Sequence, residues 1–248
     1  MAKKRVSLTL DEGVVEKVDH EADRRDLNRS QMVEDIIEQY FRQEGLETAV
    51  VLCGDEEART LELYEGKPVL SHILDNLSEE GFSRVVLLAG QNHVIEDNFG
   101  SDYNGLALEY IFEENPQGNA VALRKVEDKI RDDFAVLNGH VIADVDFQDM
   151  LTVHREENAL ATIALTAVEE PTNYGVAELK GRKILGFEEK PEEGEEPSRL
   201  INAGAYIFSP EVFSELDEDS LESAFSRFAS ESKLYGYIYG GEWKDIDE

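Results

Sequence analysis

The 248 residues suffice for one large α/β domain with a small appendage and a sizeable buried core. Lys and Arg number 24 against 55 Asp and Glu, a net charge of −31, yet apolar runs recurring at domain-like spacing exclude a disordered chain. No apolar run approaches the ~18 residues of a membrane span, and the single cysteine, Cys53, excludes an internal disulfide framework.

So acidic a surface keeps a folded chain soluble in molar salt, where ions screen its self-repulsion. The composition therefore reads as a halophilic protein of a reducing cytoplasm. The first ten residues hold Lys3, Lys4 and Arg5 and no acid, without the apolar stretch of a secretory signal. Val6, Leu8 and Leu10 alternate with Arg5, Ser7 and Thr9, the period of a strand with one apolar face. Asp11 stands where a helix cap belongs, ahead of Val14, Val15, Val18 and Ala22 at helical spacing. Asp26-Leu27-Asn28 breaks that pattern. Asn28 or Ser30 can cap a second helix, with Met32, Val33, Ile36, Ile37, Tyr40 and Phe41 as its apolar stripe. One strand and two short helices cannot complete a core, and a lone strand leaves its edge unpaired; a dimer with the two strands antiparallel solves both problems.

This pattern, over residues 3 to 43, resembles the ribbon-helix-helix family of Arc, MetJ and CopG type. The resemblance implies a homodimer whose paired strands enter the major groove of double-stranded DNA. Arg5, Ser7 and Thr9 would then read base edges. Asn28, Arg29 and Ser30 would hold a phosphate at the start of the second helix. The plainer alternative is a dimerisation appendage with a polar outer strand face. Gly45 and Glu47 mark a short linker, so the expected domains are residues 1–44 and 45–248.

Beyond the linker, Ala49 to Cys53, Arg84 to Ala89, Leu108 to Phe112 and Phe134 to Leu137 read as buried strands. Helices lie between them, one striped by Val69, Leu70, Ile73, Leu74 and Leu77, another over Ala120 to Ile130. Strands alternating with helices predict an α/β fold with a mostly parallel, doubly wound sheet. Ala161 to Val168, Gly175 to Leu179, Ile184 to Glu188 and Ala203 to Phe208 add strands with little helix between them, an insertion or a mixed edge. Pro191 to Pro197 is an acidic, solvated turn, and Tyr235, Tyr237 and Tyr239 alternate as a structural strand would. Ligands of such sheets bind beyond the carboxyl ends of the strands. Gly54 follows the first strand and Asn138-Gly139-His140 the fourth, while Asn202-Ala203-Gly204 opens a late strand.

Seven segments together are similar to the sugar-phosphate nucleotidyltransferase family, in family order. They are Gly66-Lys-Pro-Val-Leu-Ser-His-Ile-Leu74, Asn115-Pro-Gln-Gly-Asn-Ala120, Val136-Leu-Asn-Gly139, Tyr174-Gly-Val176, Gly186-Phe-Glu-Glu-Lys-Pro191, Leu200-Ile-Asn-Ala-Gly204 and Trp243-Lys-Asp-Ile246. The family joins a nucleoside triphosphate to a sugar 1-phosphate. The resemblance implies a Rossmann-like fold with Gly54 and Arg59 in the triphosphate loop. It places Tyr174, Gly175, Asn202 and Gly204 around a sugar and Glu189 with Lys190 on the sugar phosphate, with Gly118, Asn138 and His140 also on the ligand. Departures are equally visible. Asp55, Glu56 and Glu57 replace glycines and would repel phosphate, and a following stretch with a proline-flanked lysine is missing before Gly66. His140 stands where the family's first metal-binding Asp is expected, while Asp245 keeps the second. Mg²⁺ prefers oxygen ligands, so a metal is expected only if the domain is active, with Asp245 then catalytic. His140 could otherwise be a soft-metal ligand, a base or a plain strand-end residue. Lys190 could simply bridge acidic neighbours, and Asp245 could sit in a plain turn. The expected function is a nucleoid-associated, DNA-binding transcription regulator whose large domain is a pseudoenzyme. That domain would sense a sugar phosphate or nucleotide or build higher oligomers. The rivals are an active enzyme dimerised through its N-terminus and a structural protein that binds no small molecule.

Overall fold

A computed structural model describes residues 6–25, 27–42, 45–54, 57–90, 93–113 and 117–246. The chain divides into two compact units, Met1–Glu44 and Gly45–Glu248. Each is described by itself.

The first unit holds helices α1 (Glu12–Arg24) and α2 (Arg29–Arg42). Asp11 caps α1, its Oδ1 accepting from the Gly13 N–H at 2.9 Å. Asn28, rather than Ser30, caps α2. Its Oδ1 accepts from the Gln31 N–H (3.0 Å) while Gln31 Oε1 accepts from the Asn28 N–H (2.9 Å), a reciprocal box. Val18, Ala22 and Met32 form the small core, with Leu27 and Val33 packed against it. Val6, Leu8 and Leu10, by contrast, are exposed, Val6 at 70% and Leu8 at 58%. Val14, Ile36 and Ile37 are also exposed. The side chains of Tyr40 and Phe41 lie outside the described residues. The strand expected over residues 5–10 is not formed at residues 6–10. A strand exists only as part of a ladder, and no other segment of this unit is extended among the described residues.

The second unit runs through β1 (Thr48–Gly54), α3 (Glu57–Thr60), β2 (Leu63–Tyr64), β3 (Lys67–Pro68), α4 (Val69–Glu79), β4 (Arg84–Ala89), α5 (Val94–Phe99), β5 (Asp102–Tyr103), β6 (Leu106–Phe112) and α6 (Asn119–Arg124). It continues with β7 (Phe134–Asn138), β8 (Val141–Ala143), α7 (Phe147–Glu156), β9 (Ala161–Ala167), β10 (Gly175–Lys180), β11 (Lys183–Glu189), β12 (Leu200–Phe208), α8 (Val212–Glu215), α9 (Leu221–Ser230), β13 (Leu234–Ile238) and β14 (Trp243–Asp245). Among the described residues one sheet has the order β10-β11-β13-β9-β12-β7-β1-β4-β6-β5. Strands β7, β1, β4 and β6 are mutually parallel, as the alternation of strand and helix predicts. β12 runs antiparallel to β7 and β9, and β11 to β10 and β13, so the later strands extend the same sheet as a mixed edge rather than an insertion.

Both faces of the sheet are covered. Val50, Leu52 and Val136 pack with Leu123, Phe208, Phe225 and Phe228. Their neighbours Ala49, Val51, Ala135 and Leu137 pack with Leu70, Leu74, Phe147 and Met150 on the other side. This is the period-two alternation of a strand buried on both faces. The helix expected over Ala120 to Ile130 ends at Arg124 and gives way to a 3₁₀ turn at Glu127–Lys129, with Val126 and Ile130 buried all the same.

A polar group inside this core tests the packing. His154 is 1% exposed. Its Nε2 lies 3.0 Å from Ser209 Oγ, whose own hydroxyl donates to the Ala159 carbonyl. Ser209 must therefore accept from Nε2–H, leaving Nδ1 to accept from Thr162 Oγ1–H at 2.8 Å. Burial pushes this imidazole down to about 4, against the pull of Asp133 and with that of Arg155. The folded state thus holds His154 neutral. Its contribution is complete above the ordinary value of 6.5 and is lost as pH falls toward 4. Chemical denaturation across that window should show the wild type losing on the order of 3 kcal/mol more stability than His154→Gln. Parallel curves for the two proteins would contradict it.

Candidate functional site

The strand ends around β1 open onto a cleft of about 780 Å³. β1 contributes Leu52, Cys53 and Gly54, and β7 ends in Asn138. The Gly139 N–H donates to the Leu52 carbonyl at 2.9 Å. A Cβ on Gly139 would lie 2.9 Å from that same oxygen, so glycine is what lets β7 turn against β1 there. The next residues, His140 and Val141, reach β14 through the β8–β14 ladder, where Val141 pairs with Asp245. The His140 carbonyl also accepts from the Ile246 N–H (3.1 Å).

From the other half of the sheet come Gly175 and Glu189, directly paired between β10 and β11. The Lys190 N–H donates to the Tyr174 carbonyl (3.0 Å), and Tyr174 stands edge-on to Trp243, ring centres 5.3 Å apart. In β12, Asn202 Oδ1 accepts from the Gly204 N–H (3.0 Å), and Asn202 Nδ2 donates to the Oη of fully buried Tyr206 (2.9 Å). Gly204 has φ +74°, in the left-handed region.

Every residue that the nucleotidyltransferase resemblance singled out lines this one cleft: Gly54, Arg59, Gly118, Asn138, His140, Tyr174, Gly175, Glu189, Lys190, Asn202, Gly204 and Asp245. They arrive from sequence positions almost 200 residues apart. Sequence reading missed Glu113, Asn119 and Glu222, which also line it. Asn119 lay inside a quoted motif. Glu222 carried no signal, because Ser220-Leu-Glu-Ser reads simply as the start of α9, whose cap is indeed Ser220 accepting from the Ser223 N–H. Asn119 ties the two together: its Nδ2 lies 3.2 Å from Glu222 Oε1 and its Oδ1 accepts from the Leu221 N–H at 2.7 Å.

The lining is rich in carboxylates: Glu113, Glu189, Glu222 and Asp245, against the cations Arg59 and Lys190. Burial and then the charge of Glu222 push the Glu189 carboxyl up, while Lys190 draws it back. Glu57 falls outside the described side chains, and Asp55 and Glu56 outside the described residues altogether. The metal expectation can be weighed against the donor set. Among the described residues no three of His, Cys, Asp and Glu are grouped to hold an ion. The His140–Asp245 neighbourhood offers one imidazole and one carboxylate, a set that does not fit a hard cation such as Mg²⁺.

In the first unit, Ser7, Thr9, Asn28, Arg29 and Ser30 are exposed or half-exposed, and Arg5 lies outside the described residues. Arg29 is engaged within the chain. Its Nε and Nη2 donate to the two carboxylate oxygens of Asp19, each at 2.6 Å, and this pairing lowers the Asp19 pKa and raises that of Arg29. The Asn28 side chain and N–H are both taken by Gln31. Neither group is idle, so a phosphate at the start of α2 would have to displace Asp19 from Arg29.

A sheet with its cleft at the strand ends, lined from both halves, defines an α/β nucleotidyltransferase-type domain, here preceded by a two-helix unit. The chain belongs to the nucleotidyl transferase family, which its residues 52–247 match, and its residues 4–44 match the ribbon-helix-helix protein, copG family. Among curated relatives, the bifunctional protein GlmU of Methanococcus maripaludis (strain C7) is 33% identical over 218 residues, 80% of this chain and 51% of the relative. A mannose-1-phosphate guanylyltransferase of Mycobacterium tuberculosis is 32% identical over 191 residues, 73% of this chain and 53% of the relative. The chain thus spans about half the length of the curated relatives it matches. Among solved structures, a UDP-glucose pyrophosphorylase complexed with UDP-glucose superposes with a TM-score of 0.70 at 20% identity, over 81% of this chain and 93% of that one. HddC from Yersinia pseudotuberculosis gives 0.69 at 20%, over 81% and 94%. No described helix is long and apolar enough to cross a membrane.

A Cβ at Gly175 would collide with the Phe187 ring and stand 2.8 Å from Glu189 Oε2. Gly175→Val should therefore displace both, lowering the melting temperature by several degrees in a thermal scan. Unchanged melting would show that the β10–β11 end tolerates the added side chain and is not packed as tightly as the Phe187 contact requires.

Proposed function

We propose that this protein is a dimeric, sequence-specific DNA-binding regulator whose nucleotidyltransferase-type domain binds a sugar phosphate or nucleotide without turning it over. The observation that carries the first half is the exposed alternation of Val6, Leu8 and Leu10, next to exposed Val14, Ile36 and Ile37, on a unit whose own core is Val18, Ala22 and Met32. A second copy pairs the strand and covers the apolar face in one step. Ser7 and Thr9, with Arg5, then face outward as base readers, and the start of α2 meets the phosphate backbone. The second half is supported by an assembled ligand cleft combined with a poor donor set for Mg²⁺. An effector would regulate DNA binding only through different affinities for the DNA-competent and incompetent states. The acidic surface suits molar salt, which weakens phosphate contacts and leaves more of the affinity to base contacts.

An enzymatic reading is favoured by the retention of Arg59, Lys190 and Asp245 in the same cleft, and by relatives named for transferase activity. Turnover of a sugar 1-phosphate with a nucleoside triphosphate, lost in Asp245→Ala, would establish it in place of the sensor.

Gel shift with bound genomic fragments tests the regulator. Arg5→Ala should cost ~1–3 kcal/mol at the preferred site and relax sequence preference. Arg29→Ala should weaken all sequences alike and reduce the salt slope by about 0.9 for each phosphate that the arginine neutralises. Asp19→Asn should tighten binding at low salt, since the guanidinium no longer has to leave a carboxylate. Indifference to all three changes would refute DNA binding through this unit.

A further inference from the structure

Tyr206 of β12 is fully buried, and its ring packs in the core with those of Phe208 and Phe225, centres 5.9 and 5.2 Å away. Its hydroxyl is a different matter, because the groups that act on it all line the cleft. Asn202 Nδ2 donates to Oη at 2.9 Å. Burial and then the charge of Glu222 push this hydroxyl's pKa up, hydrogen bonding by Asn202 and Asn138 draws it back, and the charge of Glu189 adds to the rise. Asn138 ends β7, Glu189 ends β11 and Glu222 lies in α9, so one buried oxygen stands beneath cleft residues from separate elements. The partners also decide which end of the Asn202 amide faces where. The Gly204 N–H can only donate, and it meets the amide at 3.0 Å, so that end is Oδ1 and the end on Tyr206 is Nδ2. Gly204 makes the arrangement possible. It sits at φ +74°, and a Cβ there would stand 3.1 Å from Asn138 Nδ2 and 3.2 Å from Val141 Cγ2. Both ends of the Asn202 amide are thus held, and one N–H is left over that neither partner takes.

We propose that Tyr206 is a positioning residue: its buried hydroxyl fixes the Asn202 amide so that the remaining N–H is aimed at a hydroxyl of a bound sugar phosphate. The inference rests on the reading that the cleft takes such a ligand. Tyr206 does not touch the ligand and acts only through Asn202. A sugar hydroxyl is the group that this floor fits, because it accepts from the amide while donating to a carboxylate such as Glu189 or Glu222. Without the phenol oxygen the amide keeps its Gly204 restraint alone, and the ligand must then order the side chain at the expense of its own affinity.

Calorimetry of the full chain at high KCl tests this, with glucose 1-phosphate and mannose 1-phosphate as ligands and uridine and guanosine 5′-diphosphates as references that carry no hexose. Tyr206→Phe removes one oxygen from a packed ring; it should weaken the tighter-binding hexose phosphate ~10-fold and leave the diphosphates within about twofold. Asn202→Ala should cost the hexose phosphate a similar factor. Adding Tyr206→Phe to Asn202→Ala should then cost nothing further, because the tyrosine has lost the group through which it acts. That double-variant comparison stands whether or not the diphosphates bind. A tyrosine that only supports the core would weaken both ligand classes together or neither, and would add its loss to that of Asn202→Ala; any of these results overturns the proposal. If Tyr206→Phe fails to fold, proton exchange at the Asn202 side-chain amide of the wild type decides by NMR. One of its two protons should exchange ~10-fold or more slowly than a solvated amide, and two freely exchanging protons would overturn the positioning. Silence with both hexose phosphates from folded wild type would overturn the sugar-phosphate reading itself and this inference with it.

Discussion

A strand cannot satisfy its main chain alone, and residues 6–10 of this protein carry a strand pattern with no partner strand among the described residues of their own unit. Everything distinctive about the first unit follows from that constraint. α1 and α2 are well capped, by Asp11 and by the Asn28–Gln31 box, so the helices form locally. Among the described residues their shared core is nevertheless only Val18, Ala22 and Met32 with two flanking side chains. A unit this small buries too little to stand alone, and oligomerisation is the usual remedy. Pairing two copies would convert an exposed apolar row into core and an unpaired edge into a ladder.

The charge balance sets the conditions under which such an assembly works. The first unit carries 8 Lys and Arg against 11 Asp and Glu, a far milder excess than that of the whole chain. Several of its cations are already matched, Arg29 by Asp19, Arg24 by Glu21 and Arg25 by both Glu21 and Asp35. These pairs are exposed, so each stabilises little, and salt screens them further. The same geometry recurs in the large unit, where Arg84 and Lys129 share Glu109 and hold its carboxyl down at about 2. Such pairs lose little when salt rises, because each contributes little to begin with.

Much of the large domain was legible because strands buried on both faces write continuous apolar runs. Ala49 to Cys53 and Arg84 to Ala89 appear as β1 and β4 with their ends extended by one or two residues at most. The cleft was legible because resemblance fixed short motifs that the fold then gathers, such as Asn138-Gly139-His140 at the turn packed against Leu52. Three things were not. Residues 6–10 alternate like a strand yet form none among the described residues, and alternation by itself carries no information on whether a partner strand is at hand. Glu113 and Glu222 are single carboxylates whose meaning comes only from what surrounds them in space. The engagement of Arg29 by Asp19 joins two helices across ten positions that each look like ordinary solvated face.

The mass of the full chain in molar KCl, measured by sedimentation equilibrium alongside Leu8→Asp, tests the central claim most directly. Pairing through the N-terminal strands requires the wild type to sediment as a multiple of 27.9 kDa and the variant to fall to a lower multiple with its large domain still folded. A wild-type mass of 27.9 kDa at micromolar concentration, or an assembly indifferent to the charge placed at Leu8, would contradict it.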